Sequence, residues 1–81
     1  MVKREYLTPG ALVKVAKKVA PTAMPGPNFN GTLGLNERLE VITPPRTVGG
    51  TNLVTVKRRK TGEEFDALYA FITCFCKPTD E

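Results

Sequence analysis

Four consecutive cations, Lys57-Arg58-Arg59-Lys60, stand directly before Thr61-Gly62 and Glu63-Glu64-Phe65. Side chains of this type and density neutralise phosphates and release the counterions condensed on a polyanion, which gives affinity that tolerates any sequence. Lys14, Lys18, Arg38 and Arg46 extend the supply of positive charge. Alternation along a strand limits the run: Lys57 and Arg59 share one face, Arg58 and Lys60 the other. No spacing here aims side chains at base edges, so the expected chemistry is phosphate contact and not base readout. A solvated hairpin tip that blocks edge pairing is the plainer use of the same four residues.

Other chemistries lack their parts. The chain has no histidine and no serine, which removes an imidazole base and a serine nucleophile. No glycine-rich phosphate cradle precedes a helix. Cys74-x-Cys76 offers two thiols without the further ligands of a zinc site, and Lys77 is the one neighbour that could activate them. Two positions apart on a strand they share a face and bridge only under strain, so two reduced, buried thiols are expected. Glu63, Glu64 and Asp66 beside the basic run read as surface ion pairs, not as a hydrolytic dyad. The expectation is a protein that is not an enzyme and takes neither a cofactor nor a metal.

The chain of 81 residues makes one domain with a modest core, expected to leave residues 1–8 and 78–81 as flexible ends. Charge is polarised: eleven cations face three acids through residue 60, and one faces five beyond it. A basic face raises the local concentration of anionic partners. Neither a signal-peptide run after Met1 nor a membrane-length apolar stretch is visible, and a cytoplasmic location fits two reduced thiols.

The elements that position these residues follow from alternation and breakers. Thr8-Pro9-Gly10 is a turn or a helix start. Ala11 to Ala20 admits two readings. As a helix it shares Leu12, Val15, Ala16 and Val19 on one face; as a strand it points Val13, Val15 and Val19 inward and Lys14 and Lys18 outward, leaving Lys17 to snorkel. The β-branched valines favour the strand. Residues 21–34, with Pro21, Pro25, Gly26, Pro27, Asn28, Asn30, Gly31 and Gly34, form a long irregular loop in which Phe29 folds back into the core in preference to stacking on a partner. Strands are expected near 11–19, 37–43, 51–59, 63–67 and 71–77. Pro44-Pro45 should stop the second, Gly49-Gly50 should turn into the third, and a single helical turn at Leu68-Tyr69-Ala70 could precede the last. The expected core is Val13, Val15, Leu39, Val41, Val54, Val56, Phe65, Leu68 and Ile72.

Pro9 to Val15, Leu39-Glu40-Val41-Ile42, Val54-Thr55-Val56 through Gly62, and Ala67 to Ile72 together resemble the small five-stranded barrel of the Src-homology-3 (SH3) type, as in KOW and Tudor-like domains. The resemblance covers most of the chain and implies an all-β, SH3-like barrel with a long Pro/Gly-rich first loop. The Trp and acidic first loop of peptide-binding relatives are absent, so a Pro-rich ligand is not expected. The leading expectation is a small basic nucleic-acid-binding protein, for DNA or RNA, that uses Lys14, Lys18, Arg38, Arg46, Lys57, Arg58, Arg59 and Lys60. The alternative is a protein-interaction module, of the kind a virus or mobile element uses to dock on a larger host protein, with edge strands, Met24 and Phe29 as contacts.

Overall fold

The computed structural model describes residues 3–18, 25–27, 29 and 33–80. Val19 and Ala20 of the opening-segment reading, and Pro21, Met24, Asn28, Asn30 and Gly31 of the first-loop stretch, lie outside the described residues.

Five strands run β1 (Leu12–Val15), β2 (Arg38–Val48), β3 (Thr51–Arg58), β4 (Glu64–Leu68) and β5 (Cys76–Pro78), with one helix, α1 (Tyr69–Phe75), before the last. They form one sheet in the order β4-β3-β2-β1-β5, each neighbouring pair antiparallel. The chain is thus mostly β with a short helix, and the all-β expectation is corrected to that extent.

Alternation decides which side each strand buries. Val13 and Val15 on β1, Leu39 and Val41 on β2, Val54 and Val56 on β3 and Ala67 on β4 are fully buried, while Lys14, Arg38, Glu40, Thr55 and Lys57 take the other face. Leu7, Phe29, Leu33, Phe71, Ile72 and Cys76 complete the core. Phe65 and Leu68, expected inside, are only partly buried and pack against it. Within the stretch read as an end segment, Leu7 is core and the Tyr6 hydroxyl donates to the Leu12 carbonyl at 2.6 Å.

The opening segment is a strand and not a helix. Thr8-Pro9-Gly10 makes a turn, with Gly10 at φ 92° and the Ala11 N–H on the Thr8 carbonyl. β1 ends at Val15, so Lys17 and Lys18 lie exposed beyond it and Lys17 has no inward position from which to snorkel.

β2 does not stop at Pro44-Pro45. Its register against β3 shifts between Val41 and Thr43 and again between Thr43 and Arg46. These bulges hold the prolines where no ladder N–H is needed, and they bend the strand and raise its twist. Arg46, Thr47 and Val48, expected as a connection, belong to the strand, and Gly49 and Gly50, both at positive φ, turn it into β3.

The expected last strand, 71–77, is mostly helix. Leu68, Phe71, Ile72 and Phe75 recur at i, i+3, i+4 and i+7, which places them on one face; Phe71 and Phe75 stack with centroids 5.0 Å apart. A continuous apolar run hides this period, and only Cys76-Lys77-Pro78 remains to pair with β1. The single turn expected at Leu68–Ala70 is therefore the start of a seven-residue helix.

The first loop closes the β4 edge. Pro25 accepts the Leu68 N–H at 2.8 Å, and Gly26 lies against the Asp66 carbonyl. Phe29 is core, as expected, with its ring 4.4 Å from that of Phe65.

Candidate nucleic-acid interface

Register, more than the four-residue run, decides where positive charge gathers. Lys14 on β1 stands directly opposite Arg38 on β2 and directly opposite Lys77 on β5. The three side chains therefore form a row on the outer face across adjacent strands, with Cβ atoms of neighbours about 5 Å apart. Like charges at such positions repel. Arg59 continues the row at the β2 end, since its N–H donates to the Arg38 carbonyl at 3.0 Å.

The next row on the same face is mixed. Glu40 lies opposite Lys57, and Lys57 opposite Glu64, so Lys57 sits between two carboxylates. Arg59 also sends Nη1 to Glu40 Oε1 at 3.1 Å. Arg58 turns to the core side. Its Nε and Nη2 donate to the two oxygens of Glu37, Nη1 reaches Glu63 Oε1 at 3.4 Å, and its guanidinium lies 5.6 Å from the centre of the Phe29 ring. The Glu37 side chain is 7% exposed and that of Arg58 17%. Burial on its own raises the Glu37 carboxyl, but the Arg58 hydrogen bonds and the Gly34 N–H bring it below its ordinary value. The same bonds from Glu37 raise Arg58.

Arg46 lies toward the far end of β2 with its Nη2 on Asp66 Oδ1 at 3.1 Å. The Thr55 hydroxyl donates to the same oxygen at 2.6 Å, and these bonds, Thr55 first, hold Asp66 below the usual carboxylate range. Lys60 is exposed in the β3–β4 turn, which Gly62 at φ 80° closes by donating to the Arg58 carbonyl.

The expected residues thus divide. Lys14, Arg38, Arg59 and Lys60 come together along one end of the sheet. Arg46 and Arg58 are engaged elsewhere, Lys57 is flanked by acids, and Lys18 lies off the strand. Lys77 was missed, because only the pairing of the last strand with the first brings it to Lys14.

The thiols differ from their expected equivalence. Cys76 is buried on β5 and burial pushes it up to about 12, whereas Cys74 is exposed on α1. A thiol reagent at neutral pH is expected to label Cys74 completely while Cys76 stays unmodified until the protein unfolds, read by intact-mass spectrometry. Equal labelling of both in the native state would contradict the burial. Among the described residues no group of three or more His, Cys, Asp or Glu could hold a metal ion, and no helix is long and apolar enough to cross a membrane.

Comparison with protein-family models, with curated proteins and with solved structures gives no match.

Proposed function

We propose that this chain is a non-catalytic, sequence-tolerant nucleic-acid-binding module with the architecture of an SH3-like barrel, working in the cytoplasm. The order of elements supports the architecture: a long first loop, a bulged β2, a tight basic hairpin, and a helix before a short last strand that returns to β1. The observation that carries the function is the row Lys77–Lys14–Arg38. Lys14 and Lys77, like charges at directly opposed positions, oppose folding of the free protein, and a phosphate backbone laid across the row removes that repulsion. Arg59 and Lys60 continue the track. Arg58 supports the arm from below through Glu37 and is left out of the contact.

A protein docking by strand addition is served less well. Pro25 occupies the β4 edge at Leu68, and β5 is three residues long and ends in Pro78.

The test is a salt series of fluorescence-anisotropy titrations with duplex DNA, single-stranded DNA and RNA. The three cations of the row contribute about −2.7 to the log–log slope on duplex, and K14Q/K77Q removes about 1.8 of it. The same substitutions raise the stability of the free protein by about 0.5 kcal/mol, because they relieve the cross-strand repulsion. Slopes near zero on all three polymers would sink the reading.

A further inference from the structure

The turn that returns the first loop to β2 and the turn between β3 and β4 flank an open cleft of about 440 Å³. Arg38, Arg59 and Lys60 line it, as do Leu35 and Asn36. Leu35 is 58% exposed, one of only two large hydrophobic side chains so exposed among the described residues. It is not on a loose segment. The Asn36 N–H donates to the Val15 carbonyl at 2.8 Å, the Glu37 N–H to the Gly34 carbonyl at 3.1 Å, and Asn36 holds φ 67°. Glu37, which also lines the cleft, is neutralised there by its two bonds from Arg58. The cleft therefore joins three cations, of which Arg59 is shared with Glu40, to a fixed apolar surface and an amide that can donate and accept.

We propose that this cleft seats one unstacked nucleotide of a single strand. This deepens the nucleic-acid reading and rests on it. Arg38, Arg59 and Lys60 take the phosphate. The base lies against Leu35 and the guanidinium planes, with its edge toward Asn36. The space is in the range of a small-ligand site, and a base pair held in a duplex cannot enter it. The protein is accordingly selective for single-stranded over duplex nucleic acid, while the row Lys77–Lys14–Arg38 binds either.

The experiment compares a dT15 strand, an rU15 strand, a 15-base-pair duplex and an acidic peptide of poly-glutamate, with wild type, L35A and K14Q/K77Q, at fixed low salt. Wild type is expected to bind the single strands about tenfold tighter than the duplex. L35A, on the surface and with charge unchanged, is expected to lose about fivefold on the single strands and nothing on the duplex. K14Q/K77Q weakens all three nucleic acids. Equal affinity for strand and duplex, unmoved by L35A but weakened by K14Q/K77Q, overturns the cleft inference and leaves the phosphate track. Binding to poly-glutamate as tight as to dT15, with the same loss in L35A, overturns it in favour of a protein ligand. No binding to any nucleic acid overturns both.

Discussion

Gly26→Ala is expected to lower the stability of this protein by about 3 kcal/mol or more, a large part of what a domain of this size has. A Cβ at residue 26 would lie 2.0 Å from the Asp66 carbonyl oxygen and 3.0 Å from its carbon. Both are backbone atoms of β4, which is paired along its length to β3, so neither can swing aside as a side-chain end could. The loop must retreat instead. Retreat removes the bond from the Leu68 N–H to Pro25, which costs about 1–3 kcal/mol where the donor is left without water. It also drags at Phe29, three residues on, whose own N–H bonds back to the Gly26 carbonyl and whose ring fills the core beside Phe65. Urea titration or thermal melting measures the effect, with a fall in Tm of about 12–24 °C for a domain of this size. Gly34→Ala is the control. There the nearest atom to a new Cβ is Glu37 Oε1 at 3.9 Å, so the expected change is within about 0.5 kcal/mol of zero. Equal effects of the two substitutions would show that the loop does not pack on β4 as described.

Arg58→Met should cost about 3 kcal/mol at pH 7. Methionine keeps an apolar stem of similar length but removes the guanidinium over Phe29 and leaves the Glu37 carboxylate, nearly buried, without its two-pronged partner. The pH dependence has a definite sign. In the wild type the folded Glu37 pKa lies below its unfolded value, so its stabilisation is complete above the ordinary carboxylate range and is lost as pH falls through the depressed folded value. In Arg58→Met burial, already the largest single influence on Glu37, is no longer outweighed by the guanidinium; it raises the folded pKa above the unfolded one, and protonation then favours the fold. The gap between the two proteins therefore narrows from pH 7 to about pH 3.5. Asp66 titrates in the same way in both and cancels. A stability difference below about 1 kcal/mol at pH 7, or one that widens in acid, would refute the clamp. Binding serves as a cross-check. Because Arg58 is occupied by Glu37, Arg58→Met at a temperature where it stays folded is expected to keep the wild-type salt slope, whereas K14Q/K77Q is not.

Much of the sheet was legible in the chain itself. β1, β2 and β3 announce themselves by alternating valine and leucine with polar residues, and their buried members, Leu53 beside Val54 excepted, are those that alternation picks out. Gly49-Gly50 and Gly62 stand where positive φ is required, and Phe29 had no better place than the core. These are local properties, governed by side-chain period and backbone sterics within a few residues. Helix α1 was locally ambiguous, because an apolar run satisfies a two-residue and a 3.6-residue period alike until a sheet is present to cover one face. The passage of β2 through Pro44-Pro45 needed the bulged pairing with β3 to make it tolerable.

Charge placement belongs wholly to the tertiary structure. Which cations become neighbours depends on register between strands far apart in the chain, and a slip of one residue would send every side chain to the opposite face. Composition alone determined that this protein is basic, rich in strand-forming residues and without histidine or serine. Strand pairing decided that Arg58 would brace Glu37, that Lys57 would lie between Glu40 and Glu64, and that Lys77 would line up with Lys14 and Arg38, because electrostatic energy depends on distance in space and the chain specifies only order.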